Sequence, residues 1–441
     1  MLDTLPVELL RLVYSFCDGK TVPNLRAVSR TLALVGDEYL VSPHFTSVSW
    51  RNDIDRLHCI ALHERLRGHI KSINIYLGEF FIWDACARHR ELPEEERRLQ
   101  ADVKMADVDD EKLDPLHMRA DDLREAFSEL PNLRDLAVTF DNCPVPCGKD
   151  MKQDMTAWVK QRGVEPPETR QNLDAIMFAL HGIKLSSFKV ERVPLDMFRM
   201  ANHRLHWFTH AQSFSSLSSL DLTLDPLELK GPSSAFRAIN GLGRVLHLAT
   251  NLIRLRLAFR HIPNCHRRLH SRGQARFALS LRELFFDFTY TRLRDLALEG
   301  VSCDEEDLKE FLGRHGATLA RLRLGGRGLV QKPSDTPCGG GVHLYDGTFR
   351  SLFTDLRAKL PKLERVHLEG MFECEHPSLQ GHEAYNFYPL TDENWEPVPI
   401  PEWVRASESP LTAISCQPFE HYILRGGVYP GRNFNSMAQA A

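Results

Sequence analysis

The chain runs to 441 residues, 43% hydrophobic and 26% charged, which supplies a large core and excludes a globally disordered protein. A formal net charge of −4 excludes a nucleic-acid-type polycation, and ten scattered cysteines are too sparse for a disulfide-stapled secreted scaffold. No apolar run approaches the ~18 residues that a membrane helix needs, and Met1-Leu-Asp-Thr-Leu-Pro6 is acidic where a secretion leader would be basic, so a soluble protein of the cytoplasm, the nucleus or both is expected.

Three short helices are predicted first. Residues 3–19 carry Pro6 in the first turn and Glu8 near the helix N-terminus. Leu9, Leu10, Val13, Phe16 and Cys17 follow at helical spacing, and Gly19 ends the run. Pro23 opens a second helix with Leu25 and Val28. A third runs through Leu32, Leu34, Val35 and Leu40 before Ser42-Pro43. None of these buries enough surface to stand alone. The phrase Leu5-Pro6-x-Glu8-Leu9-Leu10, followed by Leu25-Arg26-x-Val28-Ser29-Arg30-x-Leu32, resembles an F-box. F-boxes dock on the Skp linker of SCF (Skp–cullin–F-box) ubiquitin ligases. The resemblance therefore implies that Leu5, Pro6, Leu9, Leu10, Val13, Leu25, Val28 and Leu32 divide between a Skp-binding surface and a small internal core, in a unit spanning 1–46. The plain alternative is a helical cap on whatever follows.

Residues 47–370 read as an irregular leucine-rich-repeat solenoid, an α/β architecture. Five strict Leu-x-x-Leu-x-Leu phrases start at Leu217, Leu224, Leu252, Leu293 and Leu319. From Leu293 the pattern gives a strand through Leu296 and Leu298, a turn at Gly300 and a capping box Ser302-x-x-Glu305. A helix with Leu308, Phe311 and Leu312 follows, then a stop at Gly316 and a strand through Leu322 and Leu324. Alternation predicts that Leu296 and Leu322 point into one core while Arg321 and Arg323 face outward and tolerate replacement. The same helix–turn–strand phrase appears as Leu123, Phe127 and Leu130 before Leu133-Arg-Asp-Leu136-Ala-Val138. It recurs as Phe236, Ile239 and Leu246 before Leu252–Leu257, and as Phe349, Leu352, Phe353 and Leu356 before Leu363–Leu368. Weaker strand signals lie at Ile70–Ile75 and Leu185–Val190. Charge and Pro/Gly content mark insertions at 88–122, 141–172 and 325–347. An acidic, aromatic tail over 371–441 has the composition to cap the last repeat.

No catalytic constellation is recognised, and neither cofactor nor metal is expected. Gly339-Gly340-Gly341 lacks the Lys-Ser/Thr of a phosphate loop. Cys143 and Cys147 lack a second pair for zinc, with Cys265 and His266 as strays. Asp107, Asp109 and Asp110 lack the Gly and Glu of a calcium loop. One stretch is unusual: between Glu228 and Glu283 there is no acid but eleven cations, ten of them Arg. Arg254, Arg256, Arg260, Arg267 and Arg268 are candidates for binding an acidic or phosphorylated protein through the planar guanidinium fork. The bland reading is a solvated face balanced by acids elsewhere. Nucleic acid is not expected, since aromatic residues are not interleaved with the cations.

The expectation is thus a non-enzymatic receptor: the F-box-like unit holds the Skp linker and, through it, cullin, while the repeats hold a substrate protein for ubiquitin transfer. The resemblance is to fungal F-box proteins with irregular leucine-rich repeats, and Glu420-His-Tyr422-Ile-Leu-Arg-Gly426-Gly427 is similar to tails in that group. A scaffold working outside a ligase is the alternative.

Overall fold

The structure, a computed structural model, describes residues 5–17, 21–48, 52–77, 116–140, 166–199, 211–225, 232–260, 281–326, 340–374, 383–401, 404 and 414–431. Three short helices come first: α1 (Val7–Ser15), α2 (Thr21–Arg26) and α3 (Arg30–Gly36). They close over a small core of Leu10, Tyr14, Val22, Leu32 and Val35. The Tyr14 hydroxyl donates to the Leu32 carbonyl at 2.8 Å, and the Ser29 hydroxyl caps α3 by accepting from the Leu32 N–H. Val28 lies in the turn before α3 rather than in a helix. Leu40 packs against both this core and the main one. Asp37 ties the two parts together by pairing with Arg26 at 2.5 Å and with Arg65 at 3.3 Å.

Strands and helices then alternate: β1 (His44–Val48), α4 (Asp53–Leu62), β2 (Ser72–Tyr76), α5 (Ala120–Ser128), β3 (Asp135–Thr139), α6 (Pro166–Ala179), β4 (Ser187–Pro194), β5 (Ser219–Asp225), α7 (Pro232–Leu248), β6 (Arg254–Phe259), α8 (Leu281–Phe285), β7 (Asp295–Glu299), β8 (Val301–Cys303), α9 (Glu305–Arg314), β9 (Arg321–Gly325), β10 (Val342–Leu344), α10 (Phe349–Lys359) and β11 (Arg365–Cys374). The strands β1 to β7, then β9 and β11, lie side by side in chain order, and each neighbouring pair is parallel. Parallel strands need a crossover between them, which helices supply at most steps, while between β4 and β5 the described residues form the 3-10 turns Leu195–Phe198 and Ala211–Ser216.

Register explains the core. Phe45, Ile73, Leu136, Phe188, Leu220, Leu255, Leu296, Leu322 and Val366 stand in one row across the sheet, all buried. The row two residues on holds Ile75, Val138, Val190, Leu222, Leu257, Leu298, Leu324 and Leu368. Because strand side chains alternate, both rows share one face. The apolar sides of α4 to α10 cover that face, and a single cluster joins strands to helices.

Several expectations are corrected. His44 opens the sheet, so the helical unit ends before residue 46. Residues 166–172, read as insertion, belong to α6, and 342–344, also read as insertion, form β10. No capping box forms at Ser302. That residue is held in β8, opposite His343 of β10, so it cannot turn back toward α9. The Glu305 carboxylate instead accepts from the Thr348 N–H at 2.6 Å and pairs with buried Lys309. Leu224 closes β5 rather than starting a strand, and Phe236 is half exposed.

The chain's last part docks. β12 (Glu383–Tyr388) pairs antiparallel with β11, β13 (Ile414–Ser415) pairs with β12, and α11 (Gln417–Arg425) packs on α10 and β11. Tyr385, Phe387, Cys416, Phe419 and Ile423 enter the main core, so aromatic burial covers the sheet end. β11 itself runs to Cys374, past the point where the tail was expected to start. Among the described residues no helix is long and apolar enough to cross a membrane.

A glycine in mid-helix usually costs roughly 1 kcal/mol against alanine. Gly241 in α7 is an exception, because a Cβ there would stand 1.7 Å from the Phe198 carbonyl oxygen. Gly241→Ala is therefore expected to destabilise by about 1–3 kcal/mol instead of stabilising. Chemical denaturation beside Arg237→Ala, an exposed control on the same helix, checks it.

Candidate protein-docking surfaces

α1 is apolar on two stripes. Leu10 and Tyr14 face the small core, and Cys17 packs beside them. Leu9, Leu12, Val13 and Phe16 follow the i, i+3, i+4, i+7 spacing of a second stripe, and it points away from that core. Leu9 is 46% exposed, Leu12 53% and Phe16 83%. Val7, Val28 and Leu34 are likewise exposed. The ion pair of Arg11 with Glu38 (2.6 Å) and the Tyr39 hydroxyl on the Arg11 carbonyl (2.9 Å) hold α1 against the turn that follows α3. An exposed apolar stripe of this kind marks a candidate interaction surface.

The residues singled out in the N-terminal motif therefore separate. Leu10 and Leu32 are wholly internal. Leu5 and Leu25 are half-buried against the same core, and Val13 is half-buried at the edge of the outward stripe. Pro6, Leu9 and Val28 are exposed. The motif names neither Val7 nor Leu12, and Phe16 and Leu34 enter it only as helix positions, although the spacing of Leu9, Leu12, Val13 and Phe16 is a signal available in the sequence.

A second surface is the face of the sheet opposite the helices. One row across it reads Ser187, Ser219, Arg254, Asp295, Arg321, Arg365 and the next reads Lys189, Asp221, Arg256, Ala297, Arg323, His367. Opposite charges pair between several adjacent strands, Asp221 with Lys189 and Arg256, and Asp295 with Arg254 and Arg321, whereas Arg321 and Arg365 are like neighbours. The Arg256 guanidinium donates to Asp221 and to Glu299, each at 2.8 Å. Burial alone would lower the Arg256 pKa, but the two carboxylates reverse this and hold it above the ordinary arginine value. Asp295 takes Arg321 on one side and Arg254, at 3.8 Å, on the other.

The arginine-rich block is thus partly committed. Arg256 is bridged, while Arg254 is 60% exposed at its side chain. Arg260 is half-exposed, with its backbone N–H on the Leu224 carbonyl. Arg267 and Arg268 lie outside the described residues, as do Cys143, Cys147, Cys265 and His266. Arg256→Ala would leave Asp221 and Glu299 without their shared cation, at an expected cost of about 1–3 kcal/mol. Arg254→Ala should stay within about 0.5 kcal/mol. Urea titration of the two variants side by side reads the difference.

Arg323 is not the free outward residue that alternation alone suggests. Its guanidinium lies 4.4 Å from the centre of the Trp395 ring, and it donates to Thr391 Oγ1 at 3.2 Å and to the Asp392 carbonyl. Beside it, His367, Cys416 and Glu420 bring donor atoms within 4.8 Å of one another, a grouping that no sequence motif announced. Burial raises the pKa of both the Cys416 thiol and the Glu420 carboxyl.

No protein-family model matches the chain, and no curated protein matches it.

Proposed function

We propose that the chain is the substrate-recognition subunit of an SCF-type ubiquitin ligase, an F-box joined to an irregular leucine-rich-repeat solenoid. The observation that carries this reading is the outward stripe of Leu9, Leu12, Val13 and Phe16, on the helix that contains the Leu5-Pro6-x-Glu8-Leu9-Leu10 motif. A helix already holding its own core through Leu10 and Tyr14 has no internal use for a second apolar stripe. A linker subunit that covers it would recover roughly 25 cal/mol for each Å² of apolar surface removed from water. The repeated parallel strand–helix order supports the solenoid half of the reading.

On this reading the chain contributes placement rather than chemistry. The linker holds the N-terminal helices, a substrate lies on the polar face of the sheet, and the assembled ligase moves ubiquitin to a substrate lysine. Arg254 and Arg260 are cations open to solvent there, as is Arg365, and Arg256 serves chiefly to hold Asp221 and Glu299. A substrate with an acidic or phosphorylated segment suits the first two. The test is co-purification of the full chain with a recombinant Skp linker and cullin. Retention of both is expected. Retention of linker without cullin would make the chain a scaffold outside a ligase, and retention of neither would end the F-box reading.

A further inference from the structure

His367 stands on β11, in the outward row beside Arg323. Cys416 and Glu420 stand one helical turn apart at the start of α11, and the Glu420 N–H bonds to the Cys416 carbonyl. The tail's docking therefore carries two side chains from one element onto one from another. His367 and Cys416 are buried, and the Glu420 side chain is 19% exposed.

The hydrogen-bonding pattern is specific. His367 Nε2 lies 3.3 Å from Glu369 Oε2. A carboxylate only accepts, so Nε2 carries the hydrogen, and in the neutral ring Nδ1 presents a lone pair. That lone pair faces Glu420 Oε1 at 3.7 Å, and Oε1 is buried with no hydrogen-bond partner. The Cys416 thiol beside them hydrogen-bonds to the Glu420 carboxyl. The Thr391 hydroxyl is 3.3 Å from the same Nδ1 and competes for it.

We propose that His367 Nδ1, Cys416 Sγ and Glu420 Oε1 bind one divalent transition metal of the zinc class, which fastens the tail helix α11 to strand β11. Zinc bonds of about 2.0–2.3 Å in a tetrahedron place donors roughly 3.3–3.8 Å apart. The His–Glu separation lies in that range, and the Cys416 sulfur lies within 4.8 Å of both other donors. A nitrogen, sulfur and oxygen set selects zinc or cobalt(II) over calcium or magnesium, which take oxygen alone. Glu369 holds the far side of the imidazole, the usual second contact of a metal-bound histidine. Thr391 Oγ1 or a solvent oxygen takes the fourth position. Binding releases the thiol proton of Cys416 to solvent. Charge then closes: the thiolate, Glu369 and Glu420 supply three negatives against the metal and the Arg323 guanidinium. This inference is independent of the ligase reading.

The experiment uses the full-length protein, stripped with chelator and titrated with Co²⁺, then with Zn²⁺ as competitor. One Co²⁺ per chain with a thiolate-to-metal absorption band is expected, displaced by Zn²⁺ and lost in Cys416→Ser. The Cys143→Ser/Cys147→Ser double variant should keep the band. Glu369→Gln, a positioning change, should weaken binding about 10–100-fold. Glu420→Gln preserves shape, so it is expected to keep the metal-free melting temperature while losing the Zn²⁺-induced rise. No uptake by the wild type, or a band that survives Cys416→Ser, overturns the proposal. So does a melting temperature indifferent to Zn²⁺.

Discussion

Leu9→Asp and Phe16→Asp are each expected to abolish retention of a Skp-type linker while leaving the melting temperature of the chain within a degree or two of wild type. Both side chains are substantially exposed, so a carboxylate there remains solvated in the free protein. It loses that solvation only when a partner covers the stripe. Burying an unpaired carboxylate at an apolar contact costs several kcal/mol, and each 1.4 kcal/mol is about a tenfold change in Kd. A loss of at least ~100-fold follows, enough to empty a pull-down. Leu10→Asp should also lose the linker, but for another reason. Leu10 is wholly buried between α1 and the rest of the small core, so the charge unfolds the three helices themselves. Far-ultraviolet circular dichroism of an isolated-linker competition series separates the two causes: native signal with no binding for Leu9 and Phe16, lost signal for Leu10. A Leu9→Asp/Phe16→Asp double variant that still co-purifies with linker and cullin would end the proposed role of this stripe.

That the strands were legible and their partners were not has a physical cause. The phrase Leu-x-x-Leu-x-Leu places leucines at alternate positions just where the backbone is extended, and β5, β6, β7 and β9 follow it. Even the loose versions at Ile70–Ile75 and Leu185–Val190 became β2 and β4. The strands β8, β10 and β13 have three residues or fewer. They exist because a distant segment pairs with them, as Val342 does with Val301, and no local periodicity records that. Ser302 illustrates the competition: its local pattern spells a helix cap, yet pairing with β10 claims its backbone. At the N-terminus the motif marked the right helices but could not sort Leu9 from Leu10, since adjacent residues on a helix face different directions. The grouping of His367 with Cys416 and Glu420 depends on how α11 docks, across a gap in sequence that carries no ligand spacing.

Leu322→Ala and Arg323→Ala, neighbours in β9, are expected to differ in size and in mechanism. Leu322 is fully buried and sits in register between Leu296 and Val366, with α9 and α10 packing over the same face. Truncation removes three carbons from a site whose walls are two strands and the helical layer, so collapse is limited. A cost on the order of 2–5 kcal/mol is expected, read as a lower urea midpoint with unchanged slope. Arg323 points to the opposite face, where simple alternation allows free replacement. The docked tail changes that, because Trp395 lies on the guanidinium while Thr391 and the Asp392 carbonyl accept from it. Losing a cation–π contact and charged hydrogen bonds should cost about 1–2 kcal/mol. The loss should also loosen the tail, giving faster proteolysis near residues 390–400 than in wild type. Salt discriminates further: hydrocarbon burial at Leu322 is indifferent to ionic strength, and the partly desolvated contacts of Arg323 are screened less than a surface ion pair would be. Arg323→Ala with wild-type stability and wild-type proteolysis would mean the tail is not seated on this row, and Leu322→Ala at under about 1 kcal/mol would mean the strand register is wrong.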